Sequence, residues 1–182
     1  LLGEAKTHSG AFLFSGLSAI DSKRTPLFQV ARLGSSITPI EMSDAVTVKE
    51  QLEFTLGLRN HEADFDLKAA TAAILALARL KNVANTRADA LDHNAQKRLS
   101  AALATLTFEE TIVLDEPTLG CDLASRNTIW EIIRLANLQQ HKSLLVFTSN
   151  IDEAAALSTE TGIIVNGQIV SRGSIQQMSA SC

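Results

Sequence analysis

Apolar residues recur at different spacings along these 182 residues, and each spacing predicts a different kind of element. From Thr47 to about Leu106 the pattern is helical. Val48, Leu52 and Leu56 share one face, and the alanine-rich run Leu67 to Leu80 follows. Before that block the texture is short strands and turns. Ala11 to Phe14 is an apolar run closed by Ser15-Gly16, and Phe28 to Gly34 is another, bounded by Pro26 and Gly34. After it, strands alternate with helices: strand Thr111 to Leu114, helix Leu123 to Leu138, strand Ser143 to Thr148, helix Ile151 to Leu157. A final GIIVNGQIV predicts a hairpin turning at Asn166-Gly167, because both centres of its two-residue turn need positive φ. Such alternation predicts an α/β fold whose parallel strands are covered by helices on both faces. No internal repeat or low-complexity tract interrupts it.

Composition narrows the class. At 46% hydrophobic and 20% charged, the chain is globular and long enough for one substantial core with a small subdomain attached. A net charge of −4 without a dense Lys/Arg block argues against nucleic acid as a partner, since phosphate contacts need clustered positive charge. Cys121 and Cys182 lie far apart without Cys-x-x-Cys or Cys/His spacing, which indicates neither a disulfide framework nor a zinc site and fits a reducing compartment. The longest apolar stretches, Thr71 to Leu80 and Leu99 to Leu106, fall short of the roughly 18 residues of a membrane span. The start Leu1-Leu2-Gly3 has neither an initiator Met nor a basic signal-peptide opening, so the natural protein is expected to begin upstream.

The stretch TIVLDEPTLGCD, Thr111 to Asp122, carries the chemistry. Thr111 to Leu114 lacks alternation, as a central parallel strand does when both faces are buried. Open α/β sheets bind ligands at the C-terminal ends of their strands. Neighbouring residues there point to opposite sides, so Asp115 and Glu116 can take separate jobs, one near a hard cation and the other facing a reacting water. Pro117 locks the exit and Asp122 can cap the next helix, leaving Thr118 to Cys121 rigid. By itself, an Asp-Glu pair also suits the plain solvation of a loop.

The longer string LDEPTLGCD resembles the Walker B strand, catalytic Glu and D-loop of ATP-binding cassette (ABC) ATPases, a motif of high specificity at this length. TSN, Thr148 to Asn150, stands where that family has its switch-His segment, and DEAAALSTETGIIVNGQIVSRGSIQQM looks like the usual cassette ending. Upstream, LLGEAKTHSGAFLFSG looks like the segment after the phosphate loop, and VTVKEQLEFTLGLRN like the start of the helical subdomain. The resemblance covers nearly the whole chain. AQKRLSAALATL and the Trp130 helix look most like the A subfamily, full-length transporters that move lipids. What this implies is a P-loop NTPase-like cassette with a parallel central sheet, an antiparallel β segment and a helical subdomain. Residues 1–46 would be the N-terminal strand segment, 47–110 the helical subdomain, and 111–182 the Walker B, D-loop, switch and C-terminal hairpin. ATP and Mg²⁺ would be the cofactors. A second nucleotide-binding cassette and the transmembrane domains of the same transporter would be the partners, with the cassette on the cytoplasmic side of the membrane.

Carried over residue by residue, Asp115 would hold Mg²⁺ through its water shell, and Glu116 would orient and deprotonate the attacking water. Asp122 would stand at the interface between two cassettes. This chemistry needs little beyond positioning and charge stabilisation of the γ-phosphoryl group. Several positions depart from the pattern. No Gly-x-x-x-x-Gly-Lys-Ser/Thr occurs in these residues, so the amides and Lys that cradle phosphates are missing from them. TPIE puts Ile40 where the family has a Gln that links the magnesium site to the membrane domain. The signature Ser-Gly-Gly followed by Gln or Asn reads Asp92-His93-Asn94-Ala95, which adds a charge and side chains where close approach to the partner's γ-phosphate is wanted. Asn150 fills the switch-His position, where it can hydrogen-bond to a phosphate oxygen but cannot exchange a proton near neutral pH. These departures point to the weaker half of a two-cassette transporter, holding nucleotide while the other site hydrolyses, or to a pseudo-ATPase kept as a docking or regulatory module.

Other candidates have plainer readings. His8, His61 and His141 sit in polar contexts as surface residues. Cys121 is a small filler, and Trp130, beside Ile132 and Ile133, is a core anchor. The alanine-rich helix suits a membrane-domain contact or close helix packing equally.

Overall fold

The computed structural model describes residues 13–14, 17–18, 46–59, 64–106, 111–140 and 142–180. The expected strand from Phe28 to Gly34, Ile40, His8, His61, His141 and Cys182 lie outside the described residues. Near the start, β1 (Leu13–Phe14) and β2 (Leu17–Ser18) pair antiparallel, with Phe14 opposite Leu17.

Helix α1 (Val48–Arg59) begins with a reciprocal capping box. The Thr47 amide donates to Glu50 Oε2 at 2.8 Å, and the Glu50 amide returns to Thr47 Oγ1 at 3.3 Å. These bonds hold the Glu50 carboxyl below its usual range. Its apolar face, Val48, Leu52 and Leu56, is buried against α2 (Leu67–Leu77) and the core. Asp66 caps α2 by accepting from the Ala69 amide at 2.9 Å. Only Thr71 and Leu75 of α2 are buried, while Ala69, Ala72, Ala73 and Ala76 face outward, so most of its alanines are not used for close helix packing.

Two short 3₁₀ turns, Lys81–Val83 and Ala88–Ala90, lead into α3 (His93–Thr105), the central helix. From Leu99 to Thr105 every residue of α3 is buried, and the small side chains Ala101, Ala102 and Ala104 let α4 (Leu123–Gln140) pack closely beside it. Leu99 is fully buried, so Leu99→Ala costs about 2–5 kcal/mol.

Strand β3 (Thr111–Asp115), α4 and β4 (Ser143–Phe147) form a β-α-β unit. The two strands are parallel, with Asp115 in register with Phe147. This brings the C-terminal end of β3 beside the start of the segment Thr148 to Asn150. Ile112, Val113 and Leu114 are all buried, which accounts for the missing alternation in β3. β4 differs from the expectation of cover on both faces. Leu144 and Val146 pack on the core, but Leu145 and Phe147, on the opposite face, are exposed.

Helix α5 (Ile151–Leu157) follows, then the antiparallel hairpin β5 (Thr161–Val165) and β6 (Gln168–Gly173), and α6 (Ile175–Ala180). The hairpin turns at Asn166 and Gly167, with φ of 48° and 77°, as their residue types favour. No helix among the described residues is long and apolar enough to cross a membrane.

Candidate functional site

Glu116 leaves β3 in the left-handed region, at φ 45°. A non-glycine residue held there stores roughly 1–3 kcal/mol of strain and persists only where neighbouring bonds over-determine it. Those bonds are present. The Glu116 amide donates to the Phe147 carbonyl at 2.8 Å, continuing the β3–β4 ladder one step past the strand. Its Oε1 accepts from the Ser149 amide at 2.8 Å and its Oε2 from the Thr148 hydroxyl at 3.4 Å. Lys97 Nζ donates to its carbonyl at 3.3 Å, so α3 also reaches this residue. The segment Thr148 to Asn150 therefore acts as a strap across the Glu116 carboxylate. Asp115, one residue earlier, is exposed.

The strap is set by the start of α5. Asn150 Oδ1 accepts from the amides of Asp152 at 2.9 Å and Glu153 at 3.3 Å, capping that helix, while the Asn150 amide donates to Thr148 Oγ1 at 3.0 Å. Asn150 thus has a structural task at the position expected to meet a phosphate, and that task leaves its side-chain NH₂ available.

Beyond Glu116 the chain makes a tight turn to Asp122. Pro117 and Thr118 are buried, the Leu119 amide donates to the Glu116 carbonyl at 3.2 Å, and the Cys121 amide donates to that of Thr118 at 3.0 Å. Gly120 has φ 75°, and a Cβ there would stand 3.0 Å from His93 Nε2. Cys121 is buried and its thiol is pushed up by that burial, which disfavours a reactive thiolate. Asp122 Oδ1 caps α4, accepting from the Ser125 amide at 2.7 Å. That amide chiefly, with the Ser125 hydroxyl and Arg98 adding, holds the Asp122 carboxyl below its usual range.

The start of α3 closes on the same turn. Asp92 caps its own helix, with Oδ1 accepting from the Ala95 amide at 2.8 Å. His93 Nε2 donates to the Leu119 carbonyl at 3.2 Å, and Asn94 Oδ1 accepts from the Asp122 amide at 3.0 Å. Arg98 Nη1 donates to Ser125 Oγ at 2.9 Å. Asp92 to Asn94 therefore face the chain's own amides and carbonyls. A helix N-terminus can receive an anion through its free amides and dipole; here the Asp92 carboxylate already takes that place.

The fold brings Asp115, Glu116 and the strap together at one strand end, and gathers Asp92, Asn94 and Asp122 at the turn that follows. One residue escaped sequence reasoning: Glu153 is fully buried on α5, accepting from Thr118 Oγ1 at 2.6 Å and Trp130 Nε1 at 3.1 Å. Trp130 is half-buried, anchoring through this polar bond as well as by packing. Nothing local marked Glu153, because Asp152 and Glu153 together read as the ordinary acidic first turn of a helix.

For a metal, Asp115 offers one exposed carboxylate, a hard oxygen donor suited to Mg²⁺ bound through its waters. Among the described residues no three His, Cys, Asp or Glu side chains gather to hold an ion directly.

No protein-family model matches the chain. The Nod factor export ATP-binding protein I of Rhizobium meliloti is 29% identical over 147 residues, covering 80% of this chain and 43% of that protein. Human ATP-binding cassette sub-family A member 2 is 28% identical over 179 residues, covering 98% of this chain and 7% of that protein. The chain therefore spans less than half the length of either relative. Among solved structures, the dimeric ATP-binding cassette MJ0796 in a post-hydrolysis state with ADP and Pi superposes with a TM-score of 0.73 at 19% identity, covering 94% of this chain and 75% of that one. Another dimeric structure of that bacterial ABC transporter cassette gives a TM-score of 0.74, also at 19% identity, with the same coverage.

Proposed function

We propose that this chain, which belongs to the ATP-binding-cassette family, is the nucleotide-binding domain of a transporter whose ATP binding and hydrolysis drive movement of lipids across or out of a membrane. In this reading it stands on the cytoplasmic side, beside the transmembrane domains and a second cassette, and holds nucleotide more than it turns it over. The observation that carries the reading is the strapped Glu116, with the Ser149 amide 2.8 Å from its Oε1, next to an exposed Asp115. In this reading residues 1–46 are the N-terminal strand segment, 47–110 the helical subdomain, and 111–182 the Walker B, D-loop, switch region and C-terminal hairpin.

Mg²⁺, when bound, supplies charge neutralisation for the phosphates, and Asp115 is the residue to hold its water shell. Glu116 accepts hydrogen bonds from the strap through both carboxylate oxygens, and in this reading it orients and deprotonates the attacking water through a remaining lone pair. Asn150 can donate its NH₂ to a phosphate oxygen but cannot carry a proton, so a step that needs proton exchange there is slow. None of these 182 residues forms a Gly-x-x-x-x-Gly-Lys-Ser/Thr cradle for the phosphates. At the signature, the Asp92 carboxylate repels the γ-phosphate of a nucleotide held by the partner cassette, which weakens that site too.

The competing reading is a pseudo-ATPase module used for docking or regulation. It is favoured by the bonds that tie His93 and Asn94 to the chain's own turn, since those groups are then withdrawn from a nucleotide. Amide exchange in the intact protein separates the two. A ligand that binds only the closed form slows local opening. The transporter reading expects Mg·ATP, and not Mg²⁺ alone, to protect Asp115 to Asp122 and Thr148 to Asn150. Unchanged exchange at saturating Mg·ATP rejects it in favour of the docking module.

A further inference from the structure

Glu153 is a buried carboxyl that the proposed chemistry leaves without a task. Its Oε1 receives bonds from two separate elements, the Thr118 hydroxyl of the turn after β3 and the Trp130 indole of α4. Its Oε2 is buried without a hydrogen-bond partner among the described residues. As core filling this is a poor choice, because an apolar side chain of similar shape is often neutral or stabilising in place of a buried polar group. What the carboxyl adds is direction.

The bonds form a closed circuit. Starting from Glu116, the chain runs through Pro117 to Thr118, whose hydroxyl donates to Glu153 at 2.6 Å. The Glu153 amide donates to Asn150 Oδ1 at 3.3 Å, and the Asn150 amide donates to Thr148 Oγ1 at 3.0 Å. The Thr148 hydroxyl returns to Glu116 Oε2 at 3.4 Å. Every link beyond Glu116 and its two successors belongs to α5 or to the strap that leads into it. Hydrogen bonds in such a network reinforce one another, and removing one buried member leaves its neighbours unsatisfied.

We infer that Glu153 is a positioning residue: it ties the Pro117–Asp122 turn to the strap, so the Glu116 carboxylate and the turn move as one unit. The inference rests on the nucleotide reading of Glu116 and deepens it by naming what joins the nucleotide side of the cassette to the turn that would face a second cassette. Glu153 is not a catalytic residue. It acts through Thr148, Ser149 and Thr118.

The test is amide exchange in the intact protein without nucleotide, comparing Glu153→Leu, Glu153→Gln and Thr118→Val. Glu153→Leu is expected to speed exchange at both Ser149 and Cys121 by about tenfold, since a buried network is opened, while the Leu52 and Leu56 amides of α1 keep their rates. Glu153→Gln keeps the oxygen that accepts from Thr118 and Trp130, and stays within about twofold of the parent. Thr118→Val speeds Ser149 exchange even though Thr118 does not touch the strap, and it serves alone where Glu153→Leu fails to fold. Unchanged Ser149 exchange, or a rise shared equally by α1, overturns the inference. This arm contains no ATP, so its failure is distinct from failure of the nucleotide reading, which shows instead as no protection by Mg·ATP in the parent.

Discussion

The end of β3 and the start of α3 converge on one turn, yet they engage their polar side chains differently. At β3, Asp115 stays exposed and Glu116 is held in a strained backbone by the strap, an arrangement that suits a cation and a water. At α3, Asp92 caps the helix with its own carboxylate, and His93 and Asn94 bond to Leu119 and Asp122. One end leaves the Asp115 carboxylate exposed beside a strapped Glu116; the other has bonded its side chains to the chain. Side chains that leave a helix N-terminus without a free anion site can still hold the fold together there. Asp92, His93 and Asn94 are internal partners, so removing them has a structural cost.

Undoing the inward turn gives the largest expected effect. Asp92→Ser, His93→Gly and Asn94→Gly together remove one charge and two side chains from the signature, while the serine hydroxyl can still cap α3. In the intact protein the triple variant is expected to raise Mg·ATP hydrolysis about tenfold, because like-charge juxtaposition at such a contact costs several kcal/mol. Steady-state phosphate release measures it, and an unchanged rate refutes the view that this face is what limits the partner's site.

Breaking the turn comes next. Gly120→Ala adds a methyl at φ 75°, with its Cβ 3.0 Å from His93 Nε2. We expect a loss of about 1–2 kcal/mol in denaturant unfolding, falling to about 1 kcal/mol when His93→Gly is also present. Equal losses in the two backgrounds contradict close packing of His93 on the turn.

A smaller effect concerns pH. The folded Asp122 carboxyl is held below its ordinary value by the Ser125 amide, so the folded state binds the proton less readily than the unfolded chain. The cap's contribution is therefore fully present above the unfolded carboxylate value, about 3.9, and lost as pH falls through the lowered folded value. Asp122→Asn should remove that part of the acid sensitivity in thermal melts between neutral and acid pH. An identical pH profile in the variant contradicts the assignment.

Short-range order was legible in the sequence because its causes are short-range. The spacing of Val48, Leu52 and Leu56 names the buried face of α1, the unbroken Thr111–Leu114 run names a strand buried on both faces, and Asn166-Gly167 names the hairpin turn. Asp122 as a helix cap was readable too, since Asp before an apolar-periodic run has a local mechanism. The rest depends on partners brought together by the fold. Glu153 meets Thr118 across 35 positions, and Asn94 meets Asp122 across 28, distances over which periodicity carries no information. The exposed face of β4 was missed for a related reason: an apolar run says that a strand can be covered, not which neighbours cover it.

Whether the proposed cassette holds nucleotide without being the half that turns it over is decided by Glu116→Gln in the intact protein. Gln keeps an oxygen for the Ser149 amide but cannot take a proton from water. Steady-state ATP hydrolysis is expected to stay within about twofold of the parent. A loss of about tenfold or more contradicts it and makes this site a hydrolysing one.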